Sequence, residues 1–372
     1  MTFISRPLRI LYIAYPLLPV SENSCGGAEQ ILITVEREMA RRGHQTAVAA
    51  CAGSRVAGEL LATGSPPLRS DNFEERSGEH NRKILAYLAN HGDEFDLIHD
   101  KSGTFWQSLD RNTDLPASML VTLHLGRSFY RAEAFEQVPH KVFFNCVSET
   151  QAMWFRDLGA ATVRNGIDLK KFPFRAEKGD YLLWLGRICE EKGAHLAIEV
   201  ARRTGLPLVI AGQVYPFSYH QNYFRQEILP HLDGEQVRWE ESPTIEVKLQ
   251  LLERASALLI PTLVDETSSL VAMEAMACGT PVVAFRRGAM HEVVSQGSTG
   301  FLVDSVDQMV EAVENLRCID PDVCRHCIEE QYSAVRMTDG YEALYQRMVV
   351  RVQSQAVGLG VTGSPTGLRS PA

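Results

Sequence analysis

Apolar residues in this chain fall into short runs that alternate with stretches of helical period, and the alternation occurs twice. Residues 10–14 form an apolar run of β-forming side chains, and a polar, turn-rich loop follows at 21–27. Residues 28–42 then place Ile31, Leu32, Val35 and Met39 on one helical face. Arg41 and Arg42 suit the negative end of that helix, and Gly43 suits the position after it. A strand resumes at 46–51, with short strands expected at 97–99 and 119–124. Residues 53–95 are polar and show no assignable period.

A composition break at 165–180, containing Asn165, Gly166, Lys170, Lys171, Pro173 and Gly179, has the character of a linker. The alternation then restarts. Strands are expected at 181–185, 208–211, 257–260 and 282–285, and helices at 194–203, 246–256, 270–278 and 306–316. Parallel strands joined by helices are the unit of a doubly wound sheet. The chain is therefore expected to be α/β, with two Rossmann-like doubly wound domains facing across a cleft. A last amphipathic helix at 338–350 carries Tyr341, Leu344, Tyr345 and Met348. The tail, 353–372, is rich in Gly, Ser and Pro and is expected to be disordered.

Composition narrows the function classes. The 372 residues, 45% hydrophobic and 22% charged, describe a globular chain of about two domains that needs no disulfide or metal staple. Lys and Arg number 37 against 46 Asp and Glu, a net charge of −9. Nucleic acid is therefore not an expected partner, because duplex binding draws on surplus cations facing phosphates. A pocket for one small anion is still permitted. The apolar segment near Leu8 resembles a signal sequence, but Pro16 interrupts it and no Ala-x-Ala cleavage site follows. No apolar run reaches membrane-span length. Cytoplasmic localisation without stable membrane insertion is expected.

The eight cysteines read as reduced and mostly buried. Cys324-x-x-Cys327 has no second pair to complete a four-ligand zinc site.

The stretch 261–284 holds the most chemistry. Glu266 and Glu274 have seven residues between them, spanning the junction of an expected strand and helix. Thr267, Ser268 and Ser269 are N-cap candidates, and the amides of Thr267 to Leu270 would form an anion site at the helix start. Carboxylates beside an anion site suit a ligand carrying hydroxyls at both ends and phosphates between them. On spacing alone, Glu266 could equally be a helix cap and Glu274 a solvated surface residue. Arg187 and Lys192 flank the next strand–helix junction, where both could reach phosphates.

Gly186-Arg187, Lys192-Gly193, Ala211-Gly212, Glu266-x7-Glu274 and Gly279-Thr280-Pro281 together resemble the donor half of retaining glycosyltransferases of family 4, which have the GT-B fold. Gly26-Gly27, Arg42-Gly43-His44, Thr122-Leu123-His124, Asn165-Gly166-Ile167-Asp168 and Tyr332-Ser333 through Tyr345 extend the resemblance over most of 9–350. It implies an N-terminal acceptor-side domain at 1–172, completed by 338–352, and a donor-binding domain at 173–337. It also implies a nucleotide sugar as donor substrate, with no other cofactor, and a small-molecule, glycan or lipid-linked acceptor.

By the same resemblance, His124, Arg187, Lys192 and Glu266 would be catalytic. Arg187 and Lys192 would bind the diphosphate, Glu274 the ribose and Glu266 the transferred sugar. Thr267, Ser268, Ser269 and Leu270 would bring amides to the phosphates, and Gly26, Gly27 and Gly212 would permit close approach. Thr267-Ser268-Ser269 stands where many relatives have Gly-Phe-Gly, so sugar preference is expected to differ. No Asp-x-Asp motif ends a strand, and metal-independent catalysis with a front-face mechanism is expected. An epimerase of the same architecture and a non-catalytic nucleotide-sugar binder are the competing readings. A dehydrogenase is disfavoured, because no G-x-G-x-x-G follows a strand with an acidic residue downstream.

Overall fold

Strand pairing is parallel throughout both halves of the chain. The structure, a computed structural model, describes residues 6–65 and 73–359 apart from Leu17 and Cys25. In the first half lie β1 (Arg9–Ile13), β2 (Gln45–Ala50), β3 (Glu59–Ala62), β4 (Leu97–Asp100), β5 (Ser118–Leu123), β6 (Val142–Cys146) and β7 (Ala161–Thr162). They pair in the order β3-β2-β1-β4-β5-β6-β7. The second half contributes β8 (Leu182–Leu185), β9 (Leu208–Gly212), β10 (Val237–Glu241), β11 (Ala257–Ile260), β12 (Val282–Phe285) and β13 (Gly300–Val303), ordered β10-β9-β8-β11-β12-β13.

The helices are α1 (Gly27–Arg41), α2 (Phe73–His91), α3 (Glu149–Trp154), α4 (Ala194–Thr204), α5 (Ser218–Tyr223), α6 (Ile245–Arg254), α7 (Leu270–Ala277), α8 (Met290–Val293), α9 (Val306–Glu314), α10 (Pro321–Gln331) and α11 (Ala334–Leu359). The central strands are apolar along their length because helices cover both faces: Ile10, Leu11, Tyr12 and Ile13 of β1 are wholly buried. The expected pair of doubly wound sheets is what forms. Among the described residues, no helix is long and apolar enough to cross a membrane.

In each sheet the strand order reverses direction once, at β1/β4 in the first and β8/β11 in the second. Open α/β sheets bind ligands outside the carboxyl ends of strands at such a reversal. The β8 end runs into Gly186 and Arg187, and the β11 end into Pro261 and the loop that carries Glu266. Those two strands are hydrogen-bonded neighbours.

The last helix packs on the first domain. Met337, Tyr341, Leu344, Tyr345, Met348 and Val349 join the core around β1 and α1. Arg42 bonds Glu342 at 2.6 Å and Asp339 at 2.8 Å, and His44 Nε2 lies 3.2 Å from Glu342. The two chain crossings between the sheets run side by side: Ile167 donates to the Tyr332 carbonyl, and Ala334 donates back to that of Ile167.

Several elements depart from the expectations. Residues 53–95 contain β3 and all of α2. The strand is half-exposed at the sheet edge, and the helix buries little more than His80, Ile84 and Leu88, so neither carries a strong apolar period. Edge strand β10 is polar for the same reason. Of the tail expected to be disordered, 353–359 continues α11, and 360–372 lies outside the described residues.

Beneath the first sheet, His99 is fully buried, its ring nitrogens bonded to Tyr345 at 2.5 Å and Thr122 at 2.7 Å. Burial pushes His99 well below its ordinary pKa and His80 down to about 4, while it raises Asp100 to about 6. Below pH 6.5 the unfolded histidines bind protons that the folded ones refuse, so stability falls with pH. Asp100 acts in the opposite sense below pH 6. From pH 6.5 to 5 His80 costs about 2 kcal/mol, His99 adds to the loss, and Asp100 returns about 1 kcal/mol. Urea midpoints should therefore drop between pH 7.5 and 5, and drop less in His80→Gln; a flat profile in the native chain would contradict the burial of these rings.

Candidate active site

Gly212 and Gly186 determine the floor of the cleft. Gly212 has φ +150°, and a Cβ there would lie 1.8 Å from the Gly186 carbonyl oxygen, so the ends of β9 and β8 approach closer than any side chain allows. Arg187 is the next residue. Its guanidinium lies 3.3 Å from Glu191 and 5.8 Å from the centre of the Tyr215 ring. Gly193, at φ +71° against the Pro261 carbonyl, then starts α4 and fixes Lys192 just before it.

Lys192 Nζ donates to Glu266 Oε1 at 2.6 Å. This ion pair spans the β8 and β11 loops and balances two opposite charges that would otherwise face the cleft. The Glu266 backbone is held in turn: its carbonyl accepts from Ala289, and Gly288, at φ +53°, leaves room for it.

α7 begins in the cleft with Ser269 as N-cap, and no side chain caps it. The expected capping by Thr267, Ser268 or Ser269 therefore does not occur. Thr267 Oγ1 instead donates across the cleft to the His124 carbonyl at 2.8 Å, and Ser268 Oγ is buried without a partner. At the other end of α7, Arg325 donates to the Ala277 carbonyl and Lys178 to that of Cys278. Cations at the C-terminus and an uncapped N-terminus leave the positive end of the helix dipole facing the cleft.

Glu274 is 2% exposed, so it is not a solvated surface residue. Lys248 of α6, a residue sequence reasoning missed, donates to its Oε1 at 2.7 Å. Oε2 lies equally close to Nζ, so the ammonium bridges both oxygens. Each carboxylate oxygen can accept more than one hydrogen bond, so the pair can still take a ligand hydroxyl.

Glu274 and Arg187 line one cavity of about 290 Å³, together with Gly27, Gly212, Tyr215, Leu270 and Lys248. Ser242, the one described non-glycine residue with positive φ, sits on its rim. From the first domain, Asn23, Ser24 and Gln30 complete the wall. Gly26 caps the start of α1, and a Cβ on Gly27 would touch the Leu270 side chain at 3.2 Å. The helices α1 and α7 therefore start against each other across the cleft. Lys192 and Glu266 do not line this cavity and face each other beside it.

His124 follows β5. Its amide and that of Leu125 donate to the Tyr130 hydroxyl, and Gln151 donates to the carbonyls on either side, of Leu123 and Leu125. Burial, and then the charge of Lys101, lower its pKa to about 3, so the ring is neutral at neutral pH. Its Nε2 is buried with no partner. Lys101 is itself 1% exposed and donates to Tyr341 of α11 at 2.9 Å. Sequence offered no signal for Lys101 or Lys248, because each is one lysine in an otherwise ordinary segment.

Breaking the Lys248–Glu274 pair should be asymmetric. Lys248→Met strands a buried carboxylate and should cost about 2 kcal/mol, discounted because the lysine is partly exposed. Adding Glu274→Gln should return most of that loss in urea unfolding. Additive losses would show the two groups to be uncoupled.

The family model of glycosyl transferases group 1 matches residues 167–333. Glycogen synthase of Mycobacterium tuberculosis is 36% identical over 154 residues, covering 37% of this chain and 34% of that protein. A D-inositol 3-phosphate glycosyltransferase of Pseudarthrobacter chlorophenolicus is 32% identical over 131 residues, covering 33% of this chain and 30% of that one. The chain thus spans about a third of the length of these curated relatives. Among solved structures, AviGT4, a glycosyltransferase involved in avilamycin A biosynthesis, superposes with a TM-score of 0.69 at 20% identity, covering 92% of this chain and 98% of that one. HepE of Anabaena, solved in complex with UDP-glucose, gives 0.67 at 15% identity, covering 94% and 100%. Residues 167–333 thus match the glycosyl transferases group 1 model, within a chain whose fold is GT-B.

Proposed function

We propose that this protein is a retaining glycosyltransferase that moves a hexosyl group from a nucleotide sugar, UDP- or GDP-linked, to a hydroxyl acceptor. One observation carries the reading: buried Glu274, held at both oxygens by Lys248, shares a cavity with Arg187 beneath the uncapped start of α7. A carboxylate takes paired ribose hydroxyls, a guanidinium fork takes phosphate, and a helix start takes negative charge. Only a ligand with hydroxyls and phosphates in sequence satisfies all three. HepE, of the same fold, was solved with UDP-glucose, which accords with this choice of donor.

In this reading the donor opens the Lys192–Glu266 pair. Lys192 turns to the diphosphate, and Glu266 accepts from hydroxyls of the transferred sugar. Arg187, Lys192 and the α7 amides stabilise charge growing on the leaving nucleoside diphosphate. Neutral His124 accepts from a sugar or acceptor hydroxyl at its unpartnered Nε2. Retention follows a front-face course: the sugar's bond to the phosphate oxygen breaks, the acceptor oxygen bonds the same face, and its proton passes to the departing phosphate. The cations already at the cleft do the work a metal does in other transferases, so turnover should survive chelation. The acceptor is a small molecule, a glycan or a lipid-linked saccharide that enters from the first-domain side, near residues 124–131.

The test is a thermal-shift screen against UDP-, GDP- and ADP-sugars, followed by acceptor-dependent nucleotide release. One donor at about a hundred times its Kd should raise Tm by about 5 °C. Lys192→Ala and Glu274→Ala should each remove that rise relative to their own baselines. An unchanged rise in either variant would displace the site, and a covalent glycosyl adduct on Glu266 would overturn the front-face course.

A further inference from the structure

The loop that carries Arg187 and Lys192 contains a second group of ligating side chains. Cys189, Glu191 and His220 place their donor atoms within 4.8 Å of one another. Cys189 and His220 are fully buried, and Glu191 is half-buried. The group links the loop after β8 to α5, segments separated by about thirty residues, so chain proximity alone does not explain it.

His220 is the unusual member. Both of its ring nitrogens are buried, and neither has a hydrogen-bond partner. Tyr215, Phe217 and Tyr219 surround the ring with centroids 6.0, 5.4 and 4.3 Å away. Polar atoms enclosed in this way carry a penalty unless something binds them. Cys189 Sγ makes a long bond to the Arg187 carbonyl at 3.4 Å and a side-chain contact with Glu191. Glu191 accepts from Arg187 at 3.3 Å, also a weak contact. Cys189 and Glu191 are held by Arg187 and by each other, while His220 has no partner at either nitrogen.

We infer that Cys189, Glu191 and His220 form a binding site for a thiophilic divalent ion, Zn2+ by preference. Thiolate, imidazole and carboxylate are the donor set that this ion takes, and a water completes the tetrahedron. Charge closes as well: a thiolate and a carboxylate balance the dication around a neutral ring. An ion centred in a triangle of this size lies within about 2.8 Å of each donor, so each must move by about half an ångström or slightly more to reach zinc–ligand distances. On binding, the Cys189 thiol proton leaves to solvent, its bond to the Arg187 carbonyl breaks, and sulfur bonds the ion. The ion ties the loop to α5 and lies in the cleft wall, outside the proposed chemistry. The inference rests on these three side chains and not on the glycosyl-transfer reading.

Full-length protein stripped with chelator and titrated with Zn2+ alone should bind one equivalent at this site and gain thermal stability. Co2+ in its place should show a sulfur-to-metal charge-transfer absorption. Cys189→Ser should abolish that band, and His220→Asn and Glu191→Gln should each weaken binding by at least about tenfold, since even an outer partner's loss costs that much. Cys327→Ser should leave both readouts unchanged, which separates this site from the Cys324–Cys327 pair. Glu191→Gln, at a half-buried position, keeps the test valid if a core variant misfolds. Undiminished binding and charge transfer in Cys189→Ser and Glu191→Gln would overturn the assignment, as would the absence of any stoichiometric binding in the native chain.

Discussion

A carboxylate withdrawn from water needs a cation or several hydrogen bonds in exchange, and the cleft is organised around cations. Glu274 is almost completely buried, and the one charge that meets it is Lys248 from the neighbouring helix. Lys192 performs the same service for Glu266 across adjacent strand ends. The site therefore assembles as two neutral pairs whose members can exchange partners. A ligand offering hydroxyls to the acids and phosphates to the cations satisfies both pairs at once.

The remaining architecture keeps these pairs in place. Parallel strands turn every β8 and β11 loop to one edge, and the order reversal between those strands opens the crevice. Glycines at 193 and 212 bring the loops closer than side chains would permit. Arg325 and Lys178 hold the C-terminus of α7, so its start is fixed against the cleft. On the facing domain, α1 meets α7 at Gly27, and Thr267 reaches the His124 carbonyl. The sheets are joined by adjacent crossings that pair at Ile167 and Ser333.

Fold class was legible because doubly buried strands read as unbroken apolar runs and amphipathic helices as a 3.6-residue period. That logic failed where burial is one-sided: β3, β10 and α2 carry charge on their exposed faces. Gly and Pro in the tail mask the run at 353–359 that continues α11. At the site, spacing placed Glu274 on a helix, but a carboxylate's partner is set by tertiary packing. Lys248 lies 26 residues away on another helix, and Lys192 lies 74 from Glu266, so neither pair has a sequence signature. Thr267 was read as a cap from its residue type, yet its hydroxyl finds a carbonyl in the other domain. The enclosure of His220 is likewise a property of packing alone.

Since partner exchange is the core of the account, locating the ligand's phosphates tests it most directly. A crystal structure with a nucleotide sugar should show the diphosphate bonded to Arg187 and Lys192 at the start of α7. Glu274 should accept from the ribose, and the Lys192–Glu266 bond should be broken. A diphosphate bound elsewhere, with the Lys192–Glu266 pair intact at 2.6 Å, would contradict it.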